Sequence, residues 1–409
     1  MKASLSLMLL LFLPLQHYAQ EKQSNDAIVF SNGYVIGPDP NLDATDIGEI
    51  ATSVAQRSAR VQPGELVWIE GGADDVAFME RLAVAVSVEG GHPVITIYTD
   101  EMIRGWYRDV PEYFDSQRDE WLWYLYEKAD VLIRLHSMNY GVYATVDPGR
   151  LAVRDAADAG ASAPLRTRGV RAVWIGNGLN PSEWRAQMLG VDRDELEQIF
   201  VRGLMTDPAG LAETGEWLRE ILLGATTVRV QHPNGTDITV GTGRGNVVVT
   251  DGTTKLLPRP VGDGEQINET WLPGGEVTMA LDPERTDGWL VVERIFLDGQ
   301  AIGPVTMTWS AGQMIAMEST TDLSRLQTYI DPADPLSQRL TGLKFGTNPD
   351  VADPRVQPLM GAGMFSFSMG SNRALGGDID MPFMFFLTLS GATVHVDDRI
   401  VVQDGEIQF

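Results

Sequence analysis

The 409-residue chain contains no cysteine and only 5 histidines. The first absence excludes disulfides, thiolate nucleophiles, cysteine-ligated zinc and iron–sulfur clusters, which leaves oxygen and imidazole donors for any metal. Basic residues are also scarce: 31 Lys and Arg stand against 56 Asp and Glu, for a formal net charge of -25. A field of that sign opposes attraction to phosphate backbones and anionic lipid, so nucleic acid is not an expected partner. The apolar run from Leu5 to Leu15 is too short for a spanning helix of roughly 20 residues but has the length of a signal-peptide core. With Lys2 ahead of it and Ala19 before the expected cleavage point, residues 1–19 read as a signal peptide. The expected location is the periplasm or the exterior, with no membrane span left after cleavage.

A hydrophobic content of 44% and a charged content of 21% describe an ordinary globular chain, longer than the roughly 100 to 200 residues of one domain. From Glu65 onward, short apolar runs alternate with longer amphipathic ones, the pattern of strands that cross over through helices into a parallel sheet. Leu66–Glu70, Val94–Tyr98, Val131–Leu135 and Arg171–Ile175 are the predicted strands. Asp74–Glu89 and Ser116–Lys128 are predicted helices, and Gly90 and Gly91 stop the first. A further helix starts at Asn180-Pro181-Ser182-Glu183 with Pro181 in its first turn, and Asp192–Leu223 reads as helical.

After Gly224 the texture changes to short strand-like segments separated by turn pairs such as Asn234-Gly235, Asp251-Gly252 and Asp404-Gly405. Asp237–Val240, Asn246–Thr250, Val277–Leu281 and Gly288–Phe296 are among those segments, with one helix near Leu323–Tyr329. The expected organisation is an α/β N-terminal domain with a parallel sheet over 20–225, followed by a β-rich α+β C-terminal domain over 226–409.

Motifs that carry chemistry are few. There is no HExxH, HxH, GxSxG or SxxK. Gly241-Thr242-Gly243-Arg244-Gly245 lacks the Lys-Ser/Thr ending of a phosphate loop and reads as a tight turn. His395-Val396-Asp397 would place imidazole and carboxylate on one face of a strand, which is half of a metal site or a strand histidine beside a turn acid. Gly376-Gly377-Asp378-Ile379-Asp380 either holds a hard cation or is a solvated loop. Between Met360 and Phe386, the residues Met364, Phe365, Phe367, Met369, Phe383, Met384, Phe385 and Phe386 read as core strands, a few of them facing a cavity.

Several strings occur in the order of a known family. Val228-Arg229-Val230 followed by Pro233-Asn234-Gly235-Thr236-Asp237-Ile238-Thr239 resembles the entry strand of the aminopeptidase T family, leucyl aminopeptidases that use two metal ions. Leu272-Pro273-Gly274-Gly275-Glu276-Val277 resembles that family's LPGGEV segment, and Gly346-Thr347-Asn348-Pro349 its G-x-N-P. Gly370-Ser371-Asn372 with Gly376-Gly377, and Val396-Asp397 with Asp404-Gly405, are similar to its closing loops. The resemblance covers about residues 55–409 and implies an aminopeptidase T-like fold, a homodimer, and Glu276 as a metal ligand.

The other ligand positions that the resemblance implies carry different residues. A glutamate expected just after Gly342 is replaced by Leu343 and Lys344, a histidine by Ser366, and the tyrosine that follows by Arg373 or a neighbour. The late HWD should fall within Met381–Leu389, which contains no His, Asp or Glu. Two divalent cations need several carboxylate and imidazole ligands to offset their repulsion. The expectation is therefore an exported, aminopeptidase T-like protein without the dinuclear centre, with no cofactor and a pocket for a small-molecule or peptide-like ligand. Glu276, Lys344, Ser366, Arg373, Asp378 and Asp380 are its candidate residues, with Lys344 or Arg373 supplying positive charge and pairing with Glu276. One alternative is an active leucyl aminopeptidase using Zn, Co or Mn on Glu276, Asp378, Asp380 or the His395 and Asp397 pair. Another is a relative of the ring-cleaving dihydroxypyridine dioxygenases, which resemble the same fold.

Overall fold

A computed structural model describes residues 28–29, 35–36, 44–136, 140–143, 146–176, 181–257, 268–297, 300–331, 333–356, 359–381 and 383–409. The expected signal peptide, residues 1–19, lies outside the described residues. A two-stranded pair, β1 (Ile28–Val29) and β2 (Val35–Ile36), precedes helix α1 (Ala44–Ser53). The alternation expected from Glu65 onward then appears as β3 (Leu66–Gly72), α2 (Val76–Val88), β4 (His92–Tyr98), α3 (Asp100–Asp109), α4 (Glu120–Lys128) and β5 (Val131–His136). It continues through α5 (Pro148–Ala157), α6 (Ala163–Thr167) and β6 (Arg171–Gly176). Period-two alternation sorts the strand side chains onto two faces. Val67 and Ile69 pack with Phe78, Met79 and Leu82 of α2, whereas Trp68 packs on the other side with Leu125 and Tyr126 of α4.

Three helices follow: α7 (Glu183–Leu189), α8 (Arg193–Met205) and α9 (Pro208–Leu223). Some helix bounds differ from the sequence reading, each for a local reason. Helix α4 begins at Glu120 rather than Ser116 because the Asp119 carboxylate accepts from the N–H groups of Trp121 and Leu122. Ser182 is the cap of α7, so Pro181 lies before the helix and not in its first turn. The single helix expected over 192–223 is two helices, since Pro208 has no N–H to continue α8 and Asp207 caps a new start.

The second half is β-rich, as expected. Its strands are β7 (Thr227–Gln231), β8 (Asp237–Thr250), β9 (Glu269–Leu272), β10 (Glu276–Val292), β11 (Ile295–Leu297), β12 (Gln300–Ile302), β13 (Val305–Ser310) and β14 (Gln313–Ser319). After α10 (Ser324–Gln327) come β15 (Leu340–Gly346), β16 (Phe365–Gly370), β17 (Met384–Leu389), β18 (Thr393–Val396), β19 (Arg399–Gln403) and β20 (Glu406–Ile407).

The segments expected as separate strands at 237–240 and 246–250 are one strand, and the one expected at 277–281 is continuous with the start of the one expected at 288–296, which is itself broken where β10 ends at Val292 and β11 begins at Ile295. Residues 241–245 therefore form no turn. They run inside β8, whose pairing with β10 shifts register twice. A Cβ on Gly243 would sit 2.8 Å from the Ala280 carbonyl oxygen, so the close backbone approach calls for glycine there.

Two main sheets result. The parallel one has the order β4-β3-β5-β6-β9, and its last strand comes from beyond β8 in the chain. The antiparallel one has the order β17-β16-β15-β10-β8-β7-β18-β19-β20, with β13 and β14 joined to β10. Its core is built on Val277, Leu343, Phe345, Phe365, Phe367 and Leu387. No described helix is long and apolar enough to cross a membrane.

Candidate functional site

The turn Leu272-Pro273-Gly274-Gly275 carries the chain from β9 in the parallel sheet directly into β10 of the antiparallel one. Gly275 has φ 114, in the left-handed region, and a Cβ there would lie 2.7 Å from that of Asn348. Asn348 is fully buried and clamps this turn. Its Nδ2 donates to the carbonyls of Gly274 (2.9 Å) and Gly203 (3.3 Å), and its Oδ1 accepts from the Asp350 N–H and the Thr206 hydroxyl, both at 3.0 Å. The clamp fixes where β10 starts, and Glu276 is its first residue.

From Glu276 outward, register places a polar row across four strands. Thr278 lies opposite Lys344, Lys344 opposite Ser366, and Ser366 opposite Thr388. The other face of the same strands carries Val277, Leu343, Phe345, Phe365, Phe367, Leu387 and Leu389, all in the core. The alternating Phe-Ser-Phe-Ser of β16 shows the division most plainly. Ser366 donates to the Thr388 hydroxyl at 3.0 Å, and Lys344 Nζ donates to Glu276 Oε2 at 2.8 Å. Both members of the ion pair are buried, and the ammonium lies 4.6 Å from the centroid of the Phe386 ring. The pairing expected between Glu276 and a cation is thus made with Lys344.

This pair opens onto a cavity of about 790 Å³ between the two sheets and helices α7 and α8. Gly176 at the end of β6 and Leu272 at the end of β9 line it, so it lies at the carboxyl ends of parallel strands, where open α/β sheets bind ligands. Aromatic groups dominate: Trp184, Phe200, Trp271, Phe296, Tyr329, Phe383 and Phe386. Glu276 is the one carboxylate among the described lining residues, against Lys344, Arg185 and Arg294.

Of the aromatic and methionine group singled out in the sequence, Phe365, Phe367 and Met369 are core, Phe383, Met384 and Phe386 line the cavity, and Phe385 belongs to the core and also borders the cavity. Trp184, Arg185, Trp271, Arg294 and Thr388 escaped the sequence reading. They come from elements far apart in the chain, and no local spacing marks them.

The remaining candidates lie elsewhere. Arg373, Asp378 and Asp380 are exposed and none lines the cavity. Asn372 explains this, since its amide ties the Thr341 carbonyl to the Ile379 N–H and turns the loop outward. His395 pairs across the sheet with Arg229, while Asp397 takes φ 48 and leaves the strand, so the two share no strand face. The Asp397 carboxylate accepts from the N–H groups of Thr226 and Thr227 and from both hydroxyls. Burial pushes its carboxyl up, but these hydrogen bonds together hold it below the usual carboxylate range. It is a turn anchor.

Neither a protein-family model nor a curated protein sequence matches the chain. Among solved structures, wild-type AmpT from Thermus thermophilus aligns with a TM-score of 0.67 and 15% identity over 89% of this chain and 99% of that one. The fold is that of aminopeptidase T. A 2,5-dihydroxypyridine dioxygenase from Pseudomonas putida KT2440 aligns with a TM-score of 0.58 and 15% identity, over 90% of this chain and 98% of that one.

The resemblance to the aminopeptidase T family implies paired metal ions, and the residues present do not fit them. Glu276 is committed to an ammonium, Leu343 points into the core, and Ser366 is bonded to a hydroxyl. Among the described residues no group of three His, Asp or Glu is placed to hold a metal.

Proposed function

We propose that this protein binds a small-molecule or peptide-like ligand in the cavity between its sheets, without the paired metal ions of the aminopeptidases it resembles. The observation that carries the reading is the Lys344–Glu276 pair: an ammonium 2.8 Å from the carboxylate supplies the positive charge that a cation would bring. Around it, aromatic walls and the Thr388 hydroxyl, which accepts from buried Ser366 behind it, make a surface suited to an apolar body with a few polar contacts. Export belongs to the same reading and rests on Lys2 and the run Leu5–Leu15. Self-association as a homodimer rests on the family resemblance alone.

Metal analysis of the purified chain, together with hydrolysis of a leucine anilide, tests the reading. The expected result is substoichiometric metal and no metal-dependent turnover. Stoichiometric zinc, cobalt or manganese, with hydrolysis abolished in Glu276→Ala, overturns it in favour of a metallopeptidase.

A further inference from the structure

We propose that the ligand is an organic carboxylate with an aromatic or branched apolar body, held by its anionic end at Arg294; this inference rests on the pocket reading above. The chain as a whole is strongly acidic, at -25, yet the described lining of its cavity carries three cations and one carboxylate. Lys344 is neutralised by Glu276. Arg294 is in a different position.

Its guanidinium donates to two backbone carbonyls, those of Leu189 and Arg355, and lies 5.5 Å from the centroid of the Phe296 ring. All three partners are formally neutral. The nearby acids Glu195 and Asp353 are held by Arg355, and Arg294 has no ion-pair partner among the described residues. A guanidinium has five N–H donors in a planar fork, so two carbonyls leave three, enough for both oxygens of one carboxylate. Fixed by those carbonyls, the group presents its charge with little freedom left to lose on binding.

The rest of the lining selects the body of such a ligand. Trp184, Trp271, Phe296, Phe383 and Phe386 offer ring faces and edges. A cation at one position and rings around it fit an aryl or branched alkyl acid, and disfavour an amine, which the same charge repels. Free organic acids and the C-terminus of a short peptide share this chemistry.

Trp184 and Trp271 line the cavity and serve as reporters, so binding is followed by quenching of intrinsic fluorescence and confirmed by calorimetry. The probes are 3-phenylpropanoate and N-acetylphenylalanine, each beside its primary amide. Each acid is expected to bind about tenfold or more tightly than its amide, the scale of one charge-assisted hydrogen bond. Arg294→Gln is expected to remove that preference, lowering acid affinity about tenfold more than amide affinity. A preference in both series marks the carboxylate itself as the recognised group, and one confined to N-acetylphenylalanine marks a peptide end. Equal affinity of acid and amide for the unaltered protein overturns the inference but leaves the pocket reading standing. A preference that survives Arg294→Gln overturns the assignment to Arg294. If no probe binds, the pocket reading fails and the inference with it. The acid-to-amide ratio of the unaltered protein needs no variant to fold.

Discussion

Lys344 and Glu276 meet at 2.8 Å from neighbouring antiparallel strands, two register pairs apart and so on the same sheet face, with both side chains nearly out of solvent. Removing one partner strands the other charge in a low-dielectric setting, which costs about 3 to 5 kcal/mol for a buried pair. Replacing both by apolar groups removes the desolvation penalty together with the attraction. Lys344→Met is therefore expected to destabilise by about 3 kcal/mol, whereas Lys344→Met combined with Glu276→Leu returns close to the unaltered stability. Urea unfolding of the four proteins of the cycle measures this. Additive losses would show that the two groups do not act as a pair.

The Ser366–Thr388 hydrogen bond makes a second, smaller case. Ser366→Ala leaves the Thr388 hydroxyl without its buried donor and is expected to cost about 1 kcal/mol. The double change Ser366→Ala with Thr388→Val is expected to be nearly neutral and to remove the one hydroxyl that Thr388 contributes to the cavity lining. Thermal melts of the single and double variants distinguish the two results.

Asn348 gives the sharpest stability test of the turn that delivers Glu276. Asn348→Ala leaves the Gly274 and Gly203 carbonyls and the Asp350 N–H short of partners, for an expected loss of about 3 kcal/mol. Asn348→Asp keeps the shape but loses both N–H donors, and its charge faces the two carbonyls. It is expected to be at least as damaging, and a melting temperature close to that of the unaltered protein would refute the clamp.

Acid sensitivity is expected at Asp115. Hydrogen bonds from Arg150, at 2.6 and 3.0 Å, hold its carboxyl below the ordinary value of 3.8 against the upward push of burial, with help from the Trp106 N–H. A depressed folded value means the contribution is fully present above about pH 3.8 and is lost as pH falls through the folded value. Asp115→Asn should flatten that part of the stability profile, measured by urea midpoints at falling pH. An unchanged acid slope would assign it to other carboxylates.

The parallel half was legible because its signals are local. Leu66–Glu70 and Val131–Leu135 are short apolar runs next to amphipathic helices, and each reads correctly by itself. Residues 340–346 were harder, since the cavity face of that strand carries Gly342, Lys344 and Gly346, which break the expected apolar alternation. Glu269–Leu272 is only four residues long, too short for a periodic signal. The Glu276 and Lys344 partnership could be anticipated from the resemblance, which sets both at positions of the family's metal site. Nothing local joins Arg294, Trp184 and Thr388, which lie on separate elements and meet only through the packing of the two sheets. Arg373, singled out by the resemblance, and Asp378 and Asp380, singled out by their i, i+2 spacing, lie outside the cavity lining, because Asn372 two residues past a strand end decides where the loop points and no spacing signals that.

The strand Glu269–Leu272 completes the parallel sheet although it is encoded after the long strand Asp237–Thr250. During synthesis, the exposed edge of Arg171–Gly176 must wait for more than ninety further residues, counted from Gly176 to Glu269, before its neighbour emerges from the ribosome. A nascent chain stopped near residue 225 would carry an open, apolar sheet margin, the kind of surface that chaperones shield and that self-associates when left bare.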